Sequence, residues 1–394
     1  MTADKELGYG GAALPAGVRS RFVHGINGLN MHVLEAGFEK QGRPCVLLLH
    51  GFPELAYSWR KVMVPLAEAG FYVIAPDQRG YGRTTGWVGD YDGDLAPFGI
   101  LNLVRDVLWL VAAFGYRSVA AVLGHDFGSP VAATCALVRP DVFRSVVLMS
   151  APFAGVPALP SGTADRAPHA MDAAAADRVH DELAALERPR KHYQWYYSTR
   201  EADADMRRCP QGIHAFLRAY YHHKSADWKD NRPFALKAWS AAELAKMPTY
   251  YIMDRDRNMP ETVAPEMPSA GEIAACRWLT EDELRVYSGE FTRTGFQGAL
   301  QWYRWRTSGR FAAELETFAG RTIDVPSMFV SGKSDWGPYQ VPGSIESMQH
   351  KACARMLGCH MVEGAGHWVQ QERPEAVSRL LVDFLQQSGG GLPA

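Results

Sequence analysis

The pentapeptide GHDFG at 124–128 places the most restrictive structural condition on this chain. It follows an apolar run at 118–123 that predicts a buried strand, and it leads into a helical pattern at 127–138. A chain that passes from strand to helix this quickly turns so tightly that flanking side chains would clash, which favours glycine. Asp126 at its centre then projects above the sheet, with the Phe127 N–H directed to the same place. Taken alone, such a pentapeptide is most often an ordinary turn that has a capping aspartate. Its position after a buried strand makes the nucleophile and the ordinary turn equally compatible with the sequence.

Hydrophobic patterning predicts a mostly parallel sheet. In the first third of the chain, short apolar runs alternate with amphipathic helical patterns, as in βαβ units. The predicted strands are 46–49, 71–75, 118–123, 145–149 and 323–330, and the predicted helices are 58–69, 101–114, 127–138 and 374–385.

After Pro152 the pattern changes, which predicts the domain organisation. Residues 155–322 are rich in alanine, charged and aromatic residues, and they indicate helices and long loops without a strand pattern. The proline-rich stretch at 259–268 indicates either an ordered excursion or a flexible loop. We therefore predict an α/β core formed by 21–154 and 323–388, a helical cap (lid) at 155–322, an N-terminal extension at 1–20 and a tail at 389–394. The cap would lie over the carboxyl ends of the strands, where open α/β sheets bind ligands.

Three further motifs accompany the strand-to-helix turn at GHDFG, which we call the elbow, and their order along the chain is informative. HGFP at 50–53 follows the first predicted parallel strand. In hydrolases with a nucleophile at such a turn, a loop in this position supplies one N–H of the oxyanion hole, here that of Phe52, and the residue after the nucleophile supplies the other. Asp335 follows the strand at 323–330, and His367 lies in the glycine-rich GAGHW loop. The order of nucleophile, acid and histidine is that of the α/β-hydrolase fold, so we predict this fold class.

A carboxylate at the nucleophile position determines the chemistry. Attack by Asp126 on an sp³ carbon gives an alkyl ester, which the protein must then hydrolyse. Because the carboxylate is already ionised, His367 is needed to activate water rather than the nucleophile, with Asp335 orienting it. The N–H groups of Phe52 and Phe127 would stabilise the oxyanion of this second step.

Several strings together resemble the soluble epoxide hydrolases over about residues 20–388. These are HGFPE and YSWR within 50–60, APDQRGYGRT at 75–84, GHDFG, GFQGALQWYR at 295–304 and AGHWVQ at 365–370. The resemblance implies a cofactor-independent enzyme, without a metal, that converts an apolar epoxide and water into a vicinal diol.

The resemblance also implies two lid tyrosines that bind the epoxide oxygen and protonate the opening alkoxide. The second is Tyr303 in QWYR, and the first falls on Tyr193 in HYQWYY, where Tyr196 and Tyr197 are neighbouring alternatives. A phenol suits this role, because it stays neutral at ordinary pH and still donates to a basic alkoxide.

Two alternative functions stay open at this stage. A haloalkane dehalogenase would use the same aspartate, although Phe127 stands where many members have a tryptophan that helps to hold the halide. A non-catalytic ligand-binding protein would have no need of a water-activating histidine, so His367 and Tyr303 oppose that interpretation.

Composition limits partners and location. A formal net charge of −2 excludes strong bulk attraction to nucleic acid or to an anionic membrane. We see no secretory signal and no apolar run approaching the roughly 18–20 residues of a membrane span. Six dispersed cysteines indicate reduced thiols, and we expect a cytoplasmic enzyme, for which detoxification is one role.

The pair His222–His223 is interpreted as a surface pair rather than a metal site. A homodimer is one option for the assembly, and the role of 222–271 is not readable.

Overall fold

An eight-stranded sheet forms the centre of the protein, whose computed structural model describes Tyr9 and residues 14–159 and 171–389. The side chains of 171–177 are not described. Most of the predicted N-terminal extension, residues 160–170 of the predicted cap and nearly all of the predicted C-terminal tail therefore lie outside the described residues.

The sheet is parallel except at one edge. Its strands are β1 (Val18–Ile26), β2 (Leu29–Ala36), β3 (Cys45–Leu49), β4 (Tyr72–Pro76), β5 (Ala121–His125), β6 (Val146–Met149), β9 (Ile323–Gly332) and β10 (Cys353–Val362). Their spatial order is β1-β2-β4-β3-β5-β6-β9-β10, in which β2 is antiparallel to both β1 and β4 and all other neighbours are parallel.

The strands that sequence patterning predicted are those with fully buried runs. Every residue of β3, β5 and β6 is buried, so each reads as a continuous apolar segment. The interior strand β2 escaped prediction because Asn30, His32 and Glu35 interrupt its apolar run. The edge strands β1 and β10, which mix exposed, half-buried and buried positions, escaped prediction as well. Edge strands contact solvent and lack the continuous apolar signal.

Outside the insertion the α-helices are α1 (Arg60–Glu68), α2 (Ile100–Ala113), α3 (Gly128–Val138), α14 (Ser344–Ser347), α15 (Val369–Glu372) and α16 (Pro374–Gln387). Helices cover both faces of the sheet, with α1 packed against α16 and α2 against α3. Gly70 and Gly115 follow α1 and α2 in the left-handed conformation that commonly ends a helix. None of the helices in the described part of the chain combines the length and apolar character that crossing a bilayer requires.

A mainly helical insertion connects β6 to β9. Its helices are α4 (Met171–Ala184), α5 (Tyr193–Tyr197), α6 (Glu201–Arg207), α7 (Gly212–Lys224), α8 (Ala241–Leu244), α9 (Met259–Val263), α10 (Ala270–Ala275), α11 (Glu281–Thr294), α12 (Gln297–Thr307) and α13 (Arg310–Glu316).

One expectation for this insertion was wrong. It contains a two-stranded antiparallel sheet formed by β7 (Arg190–His192) and β8 (Ile252–Asp254), whose strands are too short to give a periodic signal. Of the two alternatives for the proline-rich stretch at 259–268, the structure shows the ordered excursion, which begins as the helix α9. Asn258 and Glu261 form a capping box there, and Pro260 occupies the first turn, where its missing N–H costs nothing.

Candidate active site

The predicted elbow at Asp126 has the tight backbone that its sequence requires. Asp126 lies between β5 and α3 with φ = +51°, in the left-handed region that few non-glycine residues adopt. A Cβ atom added to Gly124 would lie 2.1 Å from the Gly128 carbonyl oxygen, and one added to Gly128 would lie 2.3 Å from the Leu49 carbonyl oxygen. Glycine is therefore required on both sides of the nucleophile position.

The Phe52 loop faces the Asp126 carboxylate. The backbone N–H of Phe52 donates to Asp126 Oδ1 over 3.0 Å. Gly51 makes this approach possible, because an added Cβ there would lie 2.4 Å from Oδ1. The N–H of Phe127 makes no hydrogen bond to another described residue and is free to donate. The structure thus brings both predicted oxyanion-hole residues beside Asp126.

His367 lies between two carboxylates. Its Nδ1 is 3.0 Å from Asp335 Oδ1, and its Nε2 is 3.2 Å from Asp126 Oδ2, although this second approach lacks hydrogen-bond geometry. Asp335 is further held by hydrogen bonds from the Ser331 hydroxyl (2.9 Å) and the Gly337 N–H (2.7 Å). The imidazole is therefore oriented by one carboxylate and presents its other nitrogen to the second.

Both carboxylates are kept ionised despite their burial. Burial by itself raises the pKa of Asp126, but the close approach and the charge of His367 outweigh it and hold the pKa far below its ordinary value. Burial also opposes ionisation of Asp335, and the charge of His367 again lowers the pKa below its usual range. Asp126 is thus available as an anionic nucleophile at ordinary pH.

The two predicted tyrosines meet above Asp126. Their ring centroids are 6.1 Å apart, and the Tyr303 ring also packs against Phe127 at 5.4 Å. Burial, followed by the charge of Asp126, raises the pKa of both Tyr193 and Tyr303, so both phenols stay protonated. The Tyr196 hydroxyl points elsewhere and bonds to Asp205 over 2.9 Å.

A cavity of about 280 Å³ opens in front of these groups. Asp126, Tyr193 and Tyr303 line it, whereas Tyr196 and Tyr197 do not. Trp239 contributes from the segment 222–271, which sequence patterning left without a role. The lining is mainly apolar and aromatic, as is typical of small-molecule sites.

A buried ion pair below the nucleophile escaped sequence prediction. His125 Nδ1 lies 2.6 Å from Glu54 Oε2, and His125 Nε2 lies 2.7 Å from the His367 carbonyl oxygen. Both partners of the ring accept hydrogen bonds, so the ring carries two protons and a positive charge. Burial alone would lower the pKa of His125, but Glu54 raises it above its ordinary value. The sequence contains two signals for this pair: His125 is adjacent to Asp126, and Glu54 belongs to the HGFPE string.

Sequence reasoning also missed Lys224 and Glu372, which position the His367 loop. The Lys224 carbonyl oxygen accepts the His367 N–H over 2.9 Å, and its buried ammonium lies over the rings of Tyr251 (5.0 Å) and Trp368 (5.3 Å). Glu372 accepts hydrogen bonds from three backbone N–H groups, those of Ala226, Gly366 and Trp368. These contacts join residues distant in sequence, so no local pattern indicates them.

The histidine pair at the end of α7 does not form the expected surface pair. His223 is buried against Trp228 at 4.4 Å and Tyr250 at 4.7 Å. Its position on the inward face of α7, beside the aromatic cluster, explains the burial. Within the described ranges, no group of three or more His, Cys, Asp or Glu side chains could hold a metal ion.

Comparison with known proteins gives consistent relatives. Residues 44–374 match the sequence model of the alpha/beta hydrolase fold. Epoxide hydrolase B of Mycobacterium tuberculosis is 32% identical over 388 residues, covering 94% of this chain and 99% of the relative. Epoxide hydrolase A of the same organism is 33% identical over 375 residues, covering 91% and 95%.

Solved structures agree with these sequences. An epoxide hydrolase from an endophytic Streptomyces superposes with a TM-score of 0.73 at 30% identity, covering 96% of this chain and 98% of that chain. Epoxide hydrolase I of potato (Solanum tuberosum) superposes with a TM-score of 0.71 at 30% identity, covering 94% and 99%. The predicted fold class and the predicted family resemblance are thereby confirmed.

Proposed function

Since the chain belongs to the epoxide hydrolase family of the α/β-hydrolase fold, we propose that Asp126 is the residue with which it opens an epoxide. The enzyme adds water to an epoxide and releases a vicinal diol through an ester of an aspartate. The observation that carries the residue assignment is the position of the Asp126 carboxylate, between the Phe52 N–H and His367 and facing two tyrosines.

In the first step, Asp126 Oδ2 attacks an epoxide carbon and the carbon–oxygen bond of the ring breaks. The departing oxygen takes a proton from Tyr303 or Tyr193, which line the cavity above the nucleophile. Their raised pKa supports this role, because a phenol that stays neutral until the alkoxide forms is able to donate. Oδ1 keeps its hydrogen bond to Phe52 and becomes the carbonyl oxygen of the ester.

In the second step, His367 removes a proton from water, and the resulting hydroxide attacks Cγ of the Asp126 ester. Negative charge then develops on Oδ1, where the Phe52 N–H already donates and the Phe127 N–H is available. Asp335 stabilises the imidazolium. Collapse of this intermediate breaks the bond between Cγ and Oδ2 and releases the diol, whose new hydroxyl group takes the proton from His367. The proton that the added hydroxide leaves on the carboxyl group returns to the tyrosinate, which regenerates both the Asp126 carboxylate and the neutral phenol.

The proposal extends to the domain organisation and to the kind of substrate that the sequence predicted. We propose that the insertion at 155–322 is a cap domain over a core of 21–154 and 323–388, because α5 and α12 supply the two tyrosines. The aromatic lining of the cavity supports a substrate with an apolar body. A cytoplasmic location, a role in detoxification and a homodimer stay predictions.

Isotope labelling in a single turnover tests the residue assignment. With enzyme in excess over styrene oxide in ¹⁸O-water, the first diol takes its new oxygen from Asp126 and is unlabelled, while label enters the Asp126 carboxylate. Asp126→Asn is the matched control, because it keeps the shape of the side chain and forms no ester. Label in the first diol, or normal turnover by this variant, would contradict the assignment. Halide release from a chloroalkane at a comparable rate would instead favour the dehalogenase alternative.

A further inference from the structure

The substrate cavity contains one cation that the proposed mechanism does not use. Among the described residues that line it, only Asp126 and Arg306 carry a formal charge at ordinary pH. His192 also lines the cavity, but burial lowers its pKa to about 3 and leaves it neutral. The remaining lining is aromatic, aliphatic or uncharged polar.

Arg306 makes no hydrogen bond and no ion pair with any described residue. Its guanidinium instead lies 5.3 Å from the ring centroid of Phe311 and 6.0 Å from that of Phe127. Arg304 on the same helix differs, because it donates to the Tyr91 carbonyl oxygen and to the Gln301 side chain. The helix α12 therefore carries one arginine fixed by protein acceptors and one whose donors face the cavity unpaired.

The position of Arg306 relates it to the reacting centre. It follows Tyr303 by three residues, so the two side chains leave the same face of α12 with Cβ atoms about 5–6 Å apart. The Phe127 ring lies next to both of them. A group bound by the guanidinium would thus lie a short distance from an epoxide oxygen held by Tyr303.

We propose that Arg306 binds a carboxylate on the substrate, so that the preferred substrates are epoxy acids with an apolar body. This inference rests on the proposed epoxide hydrolase function and refines the expectation of a purely apolar substrate. A guanidinium matches a carboxylate with two parallel hydrogen bonds, which gain strength in an apolar, partly desolvated site. It also offsets the repulsion between an anionic substrate and Asp126. The spacing from Tyr303 favours an acid group a few carbons from the ring.

Paired substrates test this proposal. The probes are an epoxyalkanoic acid and its primary amide, which has nearly the same shape without the charge. We expect wild-type kcat/KM to favour the acid, and Arg306→Leu to lower the acid-to-amide ratio about 10–100-fold, mainly through KM. Arg306→Lys should restore part of the ratio, because it returns the charge without the paired geometry.

Arg310→Leu is the matched control. Arg310 lies on the exposed surface over Trp305, outside the cavity, so the variant removes the same charge and should keep the acid-to-amide ratio. As a second readout, hexanoate should inhibit hydrolysis of styrene oxide competitively in the wild type, with an inhibition constant at least tenfold weaker in Arg306→Leu.

The outcomes separate this inference from the proposed function. Equal kcat/KM for acid and amide in the wild type, or an equal loss for both in Arg306→Leu, would overturn carboxylate binding while leaving epoxide hydrolysis intact. A fall in the ratio with Arg310→Leu would assign the effect to overall charge and also overturn it. Failure of the wild type to hydrolyse the acid, the amide and styrene oxide would instead contradict the proposed function.

Discussion

Hydrogen bonds to buried charges hold the half of the active site that comes from the sheet, whereas mainly ring packing holds the two neutral tyrosines that come from the insertion. The Tyr193 hydroxyl accepts a hydrogen bond from the Gln194 side chain over 3.1 Å. Asp335 accepts three hydrogen bonds or close N–H contacts, and Asp126 is held by Phe52. The Tyr303 hydroxyl makes no hydrogen bond to a described residue, and its ring packs against Tyr197 at 5.0 Å and Phe52 at 5.5 Å.

The difference follows from charge. A buried carboxylate or imidazolium needs partners that replace water, because leaving it unpaired costs several kcal/mol. A neutral phenol needs only a cavity of the right shape, and its hydroxyl stays available to the substrate. We therefore expect the sheet half to control ester hydrolysis for every substrate, and the insertion half to control ring opening and substrate choice.

The largest expected effects come from variants that stop the reaction in each half of the active site separately. His367→Gln should form the Asp126 ester and fail to hydrolyse it, which lowers steady-state turnover by about 10³-fold or more. Intact-protein mass spectrometry should then show the mass of one added substrate molecule. The double variant Tyr193→Phe/Tyr303→Phe should lose about 10²–10⁴-fold in turnover without any mass increase, because ring opening itself is slowed.

The reverse pattern would refute the division of labour between the two halves. An unmodified His367→Gln protein after prolonged incubation with epoxide would place the histidine in ring opening. An ester that accumulates in the double tyrosine variant would place the tyrosines in its hydrolysis.

Single tyrosine variants test which tyrosine of α5 takes part in ring opening. Tyr193→Phe should slow single-turnover ring opening about 10–100-fold, because one of two proton donors is lost. Tyr196→Phe is the matched control: it removes a hydroxyl from the same helix, but that hydroxyl bonds to Asp205 outside the cavity. Equal rates for the two variants, measured by stopped-flow, would remove Tyr193 from the mechanism.

The smallest expected effect concerns the ion pair below the nucleophile. Glu54→Gln should lower the free energy of unfolding by about 1.5–3 kcal/mol, because His125 loses its anionic partner. Burial raises the pKa of Glu54 but His125 outweighs it, so the net shift is downward from 4.5, and the contribution of Glu54 is lost as the pH falls through that lowered value. The pKa of His125 is raised above 6.5, so its contribution is lost as the pH rises through that raised value.

The difference in stability between wild type and Glu54→Gln should therefore be largest between pH 4.5 and 6.5 and shrink on both sides. Urea denaturation at several pH values measures it. Glu363→Gln, which removes an exposed carboxylate that contacts Lys333, is the control and should change stability little. A difference that stays constant with pH would mean that the pair is not ionised in the folded protein.

The predicted elements that agree with the structure share a local cause. The strands β3, β5 and β6 are buried on both faces, so each forms a continuous apolar run. The turn at Asp126 requires glycine on both sides, since any Cβ would meet the backbone. Signals of this kind lie within a few residues, and they were sufficient to predict the fold class before any contact was known.

What sequence patterns did not predict depends on long-range packing. The bond between His125 and the His367 carbonyl oxygen joins residues 242 positions apart, and the exposed edge strand β10 leaves no continuous apolar run. The different environments of Arg304 and Arg306, two residues apart on α12, could not be predicted from the local sequence either. Arg304 donates hydrogen bonds to Tyr91 and Gln301, whereas Arg306 lines the cavity.

Local sterics and the chain order of nucleophile, acid and histidine were thus readable from the residues alone, because backbone turns and buried strands impose their requirements on near neighbours. The pairing of each buried charge, the shape of the cavity and the free guanidinium within it came from the folded arrangement. These features depend on which distant side chains share one low-dielectric volume, and only the packing of the insertion on the sheet determines that.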